Sequence, residues 1–446
     1  MFEQTRLLEK TLKLLAKYPL CDYCLGRQFA RLAQGMSNKQ RGSALKTVLA
    51  MEADASASLG DERGFDELRI LAEKGGLRQA QLILERRKGV KVETEPCHIC
   101  GGLLSEERFN KLAEKILEEL REYEFGSFLL GASIPPDVRE REDRIRSEFG
   151  ITSGEDIKND ITREVGKIIQ SSTNAKVSYD MPDITVIIDF FNDRFEIKSN
   201  PLFIRGSYLK HRRDLPQAVW HCRRCWGRGC PSCNYTGKEY ETSVSELIGI
   251  PATSYAEALD YKFHAAGRED VDALVEGTGR PFVLELKSPR RRLLDFSELE
   301  RLINEHAAGA VEVRGLRRAS RKEVRELKAM SPHASKTYVA EVEFDSDIDG
   351  GKLREVEERF RNIVIEQRTP TRVLARRADK LRHKTLYELR AEQRSAREVV
   401  FTIRAQGGMY IKELIDGDGG RTKPNIAEAL GARPQKINLS VVVVEA

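Results

Sequence analysis

The chain lacks the features of a membrane or exported protein. Its best apolar stretch, residues 184–191, is interrupted by Asp189, whereas a membrane helix needs roughly 18 apolar residues in succession. The first residues show no basic run followed by an apolar core, the pattern of a signal peptide. These absences predict a cytoplasmic protein without a membrane partner.

Nucleotide-cofactor signatures are absent too. No Gly-x-Gly-x-x-Gly follows a predicted strand, and no Gly-x₄-Gly-Lys-[Ser/Thr] occurs, which argues against a Rossmann cofactor site and a P-loop. Histidine is scarce, with seven residues, and the first is His98. The segment Pro96-Cys97-His98-Ile99-Cys100 therefore lacks the upstream His-x-Glu of a zinc deaminase. ATP-driven, methyl-transfer and deaminase chemistry are all disfavoured.

Charge of one sign is also limited. The 446 residues include 75 basic and 70 acidic side chains, for a net charge of +5. A balance this even permits a polyanionic partner without requiring one, so the position of basic clusters matters more than the total. The length allows two or three domains, each with its own core.

Cysteine usage is the first specific signal. There are eight cysteines, and each belongs to a Cys-x-x-Cys pair. In a reducing compartment two such pairs can close one tetrahedral zinc site. Disulfides, or a redox pair on a thioredoxin-like fold, are the alternatives, but neither accounts for four complete pairs. The pairs are Cys21/Cys24, Cys97/Cys100, Cys222/Cys225 and Cys230/Cys233.

Hydrophobic periodicity divides the chain into three parts. Apolar spacing predicts an amphipathic helix over 3–17, a strand over 123–135, a helix over 154–171 and a strand over 183–189. We expect this α+β part, residues 1–206, to be one domain, and the cysteine-rich residues 207–245 to be a zinc-stapled linker. Residues 246–446 are predicted to form a mixed α/β sheet domain. Its predicted strands are 282–286, 336–344, 398–405 and 437–445, with charged helices around 297–307, 321–329 and 352–361.

Three separated segments carry the candidate chemistry. The first is Gly267-Arg268-Glu269-Asp270-Val271-Asp272, a glycine-flanked acidic turn before a strand. The second is Lys336-Thr337-Tyr338, and the third is Tyr410-Ile411-Lys412-Glu413. Taken singly, these segments favour a solvated loop, a half-buried strand aromatic and a surface cation.

Together the segments resemble the pseudouridine synthases, in which an aspartate follows a Gly-Arg-x motif. Over Gly267–Leu286, Gln406–Leu430 and Pro201–Gln217 the chain is similar to one family, the archaeal and eukaryotic tRNA pseudouridine synthases called Pus10. In Pro201–Lys210 the resemblance also covers the end of a THUMP domain. It extends from Cys21 almost to the C-terminus.

The resemblance implies a set of roles. Asp270 would be the catalytic aspartate, Tyr338 would stack on the flipped uracil, and Lys412 would pair with Asp270. Ile411 and Leu439 would line the base pocket, and Arg205 would contact RNA or support the domain interface. The substrate would be the TΨC arm of tRNA, modified at uridine 55 and often at uridine 54. Because the reaction exchanges a C1′–N1 bond for a C1′–C5 bond without net redox change, no organic cofactor is expected.

The resemblance also assigns the first cysteine quartet, Cys21, Cys24, Cys97 and Cys100, to a family zinc site. The second quartet has the spacing Cys-x₂-Cys-x₄-Cys-x₂-Cys, with Gly227 and Gly229 between its pairs, so we expect two structural Zn²⁺ ions. His221 could replace one of its ligands.

A basic run predicts where tRNA lies. Between Arg368 and Lys384 there are seven Arg/Lys and one acid, Asp379, which favours phosphate contact through Arg372, Arg376 and Arg377. We expect a monomer that binds the TΨC arm and the acceptor stem. The alternative is a zinc-containing tRNA-binding or chaperone protein without catalysis, which would leave Asp270, Tyr338 and Lys412 unexplained.

Overall fold

The computed structural model describes residues 7–330 and 334–444, apart from the side chains at positions 330, 375, 376 and 444. The chain divides into two compact units, Met1–Ser199 and Asn200–Ala446. Among the described helices, none has the length and apolar character needed to cross a membrane.

The first unit begins with six helices, whose buried apolar residues form one core cluster with Cys24, Cys97 and Cys100. The predicted N-terminal amphipathic helix is confirmed over residues 7–17, with Leu14 and Leu15 buried, whereas residues 3–6 of that prediction lie outside the described residues. Cys21 caps the second helix by accepting a hydrogen bond from the Cys24 amide. The helices are α1 (Leu7–Lys17), α2 (Asp22–Gln28), α3 (Asn38–Ser58), α4 (Glu62–Glu73), α5 (Arg78–Lys88) and α6 (Glu106–Leu120).

A four-stranded sheet completes this unit, in the order β2-β1-β3-β4. Strand β1 runs parallel to β2 and β3, and β4 is antiparallel to β3. The buried face of α8 carries Ile157, Ile161 and Val165, at the helical spacing predicted from sequence. The elements are β1 (Ser127–Ala132), α7 (Pro136–Glu148), α8 (Ile157–Thr173), β2 (Lys176–Val177), β3 (Ile184–Asp189) and β4 (Arg194–Ser199).

The second unit is a mixed α/β domain, as predicted, built on one ten-stranded sheet. Its first half contains β5 (Leu202–Lys210), α9 (Val244–Tyr255), β6 (Asp260–Ala265), β7 (Leu274–Lys287), α10 (Phe296–Ala307), β8 (Val311–Ala319) and α11 (Arg321–Met330). Its second half contains β9 (Ser335–Phe344), α12 (Gly350–Arg359), β10 (Ile363–Arg368), β11 (Leu381–Gln393), β12 (Glu398–Gln406), α13 (Ile411–Asp416), β13 (Thr422–Lys423), α14 (Ile426–Leu430) and β14 (Pro434–Val444).

The strand order brings distant segments together. It runs β13-β10-β11-β12-β9-β14-β7-β5-β8, with β6 paired to β7. Strand β14 lies between β9 and β7, antiparallel to the first and parallel to the second. The strands that carry Tyr338 and Leu439 are therefore neighbours, beside the strand that follows the Asp270 loop.

The division of the chain differs from the sequence-based one at one strand. The predicted boundary at residue 206 falls inside β5, which is antiparallel to both β7 and β8. Residues 200–206 therefore belong to the second unit, although Pro201–Lys210 resembled the end of a THUMP domain. The reason is that the pairing partners of β5 lie at least 65 residues away along the chain (Lys210 pairs with Val275), and hydrophobic pattern carries no information about them.

Candidate active site

The loop between β6 and β7 presents Asp270. About a third of the Asp270 side chain is exposed, at 34%. Both ends of the loop are anchored, because Ala266 and Ala273 are buried in the same apolar cluster as Tyr338. A carboxylate that is open to solvent on a loop with fixed ends is suited to meeting a bound substrate.

The cation that contacts Asp270 is Arg372, not the predicted Lys412. Arg372 Nη1 lies 2.8 Å from Asp270 Oδ1, and its Nε lies 2.6 Å from Glu413 Oε1. Burial lowers the pKa of Arg372, but hydrogen bonds to Glu413 and Asp270 outweigh this effect and raise it above its ordinary value. Arg372 was expected to contact phosphate, yet its guanidinium is held between two carboxylates.

Lys412 pairs with the second acid of the loop. Its Nζ lies 2.5 Å from Asp272 Oδ2. Burial raises the pKa of Asp272, and the hydrogen bond from Lys412 more than reverses this, so the pKa lies below its ordinary value. Two aspartates two residues apart cannot be assigned to two cations from sequence, because the loop conformation decides where each side chain points.

Helix α13 is held in place by a buried glutamine. Gln367 of β10 donates to the Tyr410 carbonyl at 2.8 Å and accepts from the Tyr410 amide at 2.9 Å. This pair of bonds fixes the start of α13, and with it Ile411, Lys412 and Glu413. Sequence reasoning missed Gln367, because nothing local distinguishes it from a surface glutamine.

The three predicted base-pocket residues lie in one apolar cluster. Tyr338, Ile411 and Leu439 are all buried there. Burial raises the pKa of Tyr338 to about 12, so its phenol stays protonated at neutral pH. The structure thus brings these side chains together with the ends of the Asp270 loop.

A buried polar network lies beneath this loop. Glu269, next to Asp270, forms an ion pair with Arg280, with 2.8 Å between Oε2 and Nε. The hydroxyl of Tyr208 donates to Glu269 and lies 2.9 Å from each carboxylate oxygen. Gln217 donates to that hydroxyl at 2.8 Å and to the Gly267 carbonyl at 3.1 Å. Because these groups pair with one another away from water, and Gln217 also bonds the Gly267 carbonyl, they fix the backbone that carries Asp270.

Two buried lysines complete the support. Lys210 donates to the carbonyls of Leu215, Asp270 and Val271, at 2.8, 3.2 and 2.9 Å. Lys336 Nζ lies 3.5 Å from the Ala266 carbonyl. Burial lowers the pKa of each lysine to about 8. Sequence reasoning assigned a role to neither, since a lysine in a strand is ordinarily exposed.

The other predicted RNA contacts are dispersed. Arg205 pairs with Glu323 at 3.5 Å. Arg377 donates to the Tyr410 hydroxyl at 3.0 Å. The side chain of Arg376 lies outside the described part of the structure.

Each cysteine quartet has the geometry of a metal site. All eight cysteines are free thiols, and within each quartet the sulfurs lie within 4.8 Å of one another. The separation is 3.7 Å for Cys21–Cys100 and 3.8 Å for Cys225–Cys233. Four thiolates about 2.3 Å from a tetrahedral zinc ion lie about 3.8 Å apart, so the residues present fit this metal.

Comparison with known proteins gives matches over most of the chain. Residues 203–445 match the family model described as "Pus10, C-terminal", and residues 112–189 match "Pus10 THUMP domain, archaeal". The tRNA pseudouridine synthase Pus10 of Thermofilum pendens is 43% identical over 97% of this chain and 94% of that protein. The corresponding protein of Methanopyrus kandleri is 39% identical over 98% of each chain. That of Methanothrix thermoacetophila is 40% identical over 98% of this chain and 94% of its own.

Proposed function

The chain belongs to the Pus10 family of tRNA pseudouridine synthases, and from this premise we propose that it isomerises uridine in the TΨC loop of tRNA, at position 55 and also at position 54. The observation that carries the proposal is the placement of Asp270. Asp270 is the aspartate of the family motif. Its carboxylate lies on an exposed loop, in contact with Arg372 and next to the buried Glu269–Arg280 network.

The chemistry requires an ionised carboxylate beside the ribose. The C1′–N1 bond breaks, a C1′–C5 bond forms, C5 loses a proton and N1 gains one. Ionised Asp270 can begin this sequence in two ways, by attack on C1′ or by removal of a ribose proton. Arg372 donates a charged hydrogen bond to the carboxylate, which holds Oδ1 in a fixed position in either route.

Base flipping explains the neighbouring apolar side chains. A stacked uridine cannot reach a carboxylate, so the nucleotide has to leave the stack. Tyr338 then supplies an aromatic platform, and Ile411 and Leu439 supply apolar walls in the same cluster. Of the basic run, Arg377 is placed beside Tyr410 of this site, and we assign it to a phosphate near the target nucleotide.

The two quartets are assigned to two structural zinc ions. When bound, zinc crosslinks segments that are otherwise far apart in sequence, such as Cys21 and Cys97. Four thiolate ligands leave no open position for water, so neither site takes part in the isomerisation. Metal analysis of the purified protein is expected to give close to two zinc ions per chain, and replacement of Cys230 and Cys233 by serine should lower this number to one.

The two units are assigned different parts of the substrate. We propose that the unit containing the THUMP domain binds the acceptor stem while the unit containing Asp270 acts on the TΨC arm. A monomeric state and a cytoplasmic location stay predictions.

A single substitution separates catalysis from binding. Asp270→Asn keeps the size of the side chain and removes its charge, so turnover of an unmodified tRNA transcript should fall by at least about a thousandfold. The dissociation constant should change little, because one carboxylate contributes little to binding a polyanion. Asp272→Asn is the matched control and should retain measurable turnover.

Two outcomes would contradict this proposal. Pseudouridine formation by Asp270→Asn would show that Asp270 is not the catalytic carboxylate. A wild-type protein that binds the transcript tightly yet forms no pseudouridine would favour the alternative, a tRNA-binding or chaperone protein.

A further inference from the structure

The loop that holds the second cysteine quartet, residues 221–238, exposes two aromatic rings; we call it the cysteine knuckle. Trp226 is 80% exposed and Tyr235 is 75% exposed. Trp226 directly follows Cys225, and Tyr235 lies two residues after Cys233. Each ring therefore extends from one half of the quartet, on a backbone that four convergent sulfurs restrain.

The backbone at both rings is in the left-handed region. The φ angle is 53° at Trp226 and 61° at Tyr235. This conformation costs about 1–2 kcal/mol for a bulky residue and little for glycine. Because neither ring is buried, apolar packing within the fold does not offset this cost.

The cysteine knuckle is also basic. It contains Arg223, Arg224, Arg228 and Lys238, and no Asp or Glu occurs between residues 215 and 238. A zinc ion bound by four thiolates carries about two negative charges, which leaves a net charge of about +2 within residues 221–238. Arg223 and Lys238 form ion pairs with Glu239 and Glu246, which lie just outside the knuckle, so Arg224 and Arg228 are the cations that it offers to a ligand. Arg224 hydrogen-bonds the Ser232 hydroxyl at 2.7 Å rather than a carboxylate, so its charge is not neutralised by that contact.

The base of the cysteine knuckle is attached to the Asp270 loop. The guanidinium of Arg268, two residues before Asp270, lies over the ring of Trp220 at 5.3 Å from its centroid. The Glu239 amide donates to the Trp220 carbonyl at 2.8 Å, which closes the base of the knuckle. Gln217 donates to the Gly267 carbonyl at 3.1 Å. An RNA bound at Asp270 therefore has the cysteine knuckle as a neighbour.

We propose that the cysteine knuckle is a binding site for unpaired nucleotides of the RNA substrate. Trp226 and Tyr235 stack on exposed bases, and Arg224 and Arg228 contact the adjoining phosphates. Exposed aromatic rings among cations are the chemistry by which proteins hold single-stranded RNA, since every base has a face for stacking. The inference rests on the proposed function, because it takes tRNA as the RNA. It adds a second set of contacts, outside the pocket of Tyr338, for nucleotides that flank the flipped uridine.

The test uses the full-length, zinc-loaded protein with an unmodified tRNA transcript. Trp226→Ala and Tyr235→Ala should each raise the dissociation constant roughly tenfold. Leu259→Ala is the matched control, since it removes an apolar side chain that is 82% exposed and lies outside the cysteine knuckle, and it should leave the dissociation constant unchanged. Trp226→Phe should restore most of the affinity, because a phenyl ring also stacks.

Salt dependence distinguishes stacking from charge. The aromatic variants should leave the slope of log Kd against log salt unchanged, whereas Arg228→Gln should reduce its magnitude by roughly 0.7–0.9. Zinc content equal to wild type in every variant shows that the quartet is intact. A hairpin with the TΨC loop should compete for the site better than a duplex of the same stem, because only the hairpin offers unpaired bases.

The outcomes separate this inference from the proposed function. Wild-type affinity and wild-type kcat/KM in the double variant Trp226→Ala/Tyr235→Ala, with pseudouridine formed normally, would overturn the inference and leave the proposed function intact. If the wild type forms no pseudouridine but the aromatic variants bind tRNA more weakly than it does, the inference is supported and the proposed function is contradicted.

Discussion

At the residue scale, the site depends on which cation contacts which carboxylate. Arg372 binds Asp270 and Glu413 through separate nitrogens of one rigid, planar guanidinium, whereas a lysine would offer both carboxylates a single nitrogen on a flexible chain. Arg372→Lys should therefore hold the two carboxylates less firmly. We expect kcat to fall roughly a hundredfold with a smaller change in KM, measured by steady-state assays on a tRNA transcript.

Lys412→Gln provides the comparison for Arg372→Lys. Lys412 contacts Asp272 and not Asp270 in the free protein, so its replacement should lower kcat less than Arg372→Lys. A larger loss in Lys412→Gln would contradict this assignment. It would mean that the two cations exchange carboxylates when RNA binds.

Lys336 gives a pH-dependent prediction. Burial lowers its pKa from 10.5 to about 8. Between these values the unfolded chain holds a proton that the folded chain has lost, so the free energy of unfolding rises with pH by up to about 1.4 kcal/mol per unit. Lys336→Met should remove this slope and, below pH 8, increase stability because no charge is then buried. Urea unfolding at pH 7 to 10 measures both effects.

The control for Lys336→Met lies in the same protein. Lys210, with the same pKa of about 8, contributes its slope to wild type and variant alike, so it cancels in the difference. If the plots of unfolding free energy against pH stay parallel for wild type and Lys336→Met, Lys336 is not protonated differently in the folded and unfolded chains.

The candidate residues were predictable from sequence only where the signal is local. Asp270 lies in a contiguous motif, and so do Tyr338 and Lys412. The contact of Arg372 with Asp270 joins positions 102 residues apart, and its signal, an arginine in a basic run, indicates phosphate binding equally well. Pairing of this kind is set by tertiary structure, which no local pattern specifies.

At the element scale, β5 and β7 together form the foundation of the Asp270 loop. β5 supplies Tyr208 and Lys210, β7 supplies Arg280, and the loop supplies Glu269. Breaking the buried Glu269–Arg280 ion pair leaves one charge without a partner. Arg280→Met should therefore destabilise the second unit by about 3–5 kcal/mol, measured by urea denaturation.

The double variant Glu269→Gln/Arg280→Met should be less destabilised than Arg280→Met, since it removes both charges. Its kcat should still fall more than its KM rises, because the Asp270 backbone loses its support. Equal destabilisation of the single and double variants would mean that the ion pair is not the source of the loss.

Element boundaries were predictable where periodicity is strong. The apolar spacing of α8 and the alternating burial of β3 match the sequence pattern. Strand β7 begins at Leu274, eight residues before the predicted strand. Gly277 and Gly279, both at positive φ, interrupt the hydrophobic pattern there. The first residues of the strand were therefore not recognisable from the sequence.

At the scale of the whole molecule, the two units should be separable, and β5 decides where the chain can be cut. A fragment of residues 200–446 keeps β5 between β7 and β8 and should fold. It should bind tRNA more weakly than the full chain and should keep its turnover rate at saturating RNA, because the support of Asp270 is complete. The comparison is kcat and KM for the fragment and the intact protein.

A shorter fragment, residues 246–446, matches the domain expected from sequence but lacks β5. It loses a strand from the interior of the sheet, together with the hydroxyl and ammonium that support the Asp270 loop. We expect it to show no cooperative unfolding transition and no turnover, as followed by circular dichroism and pseudouridine mapping. Cooperative folding of 246–446 would mean that β5 only covers an otherwise stable sheet. Tight tRNA binding by 200–446 would mean that the first unit contributes little to substrate affinity, and the division of the tRNA between the two units would then be wrong.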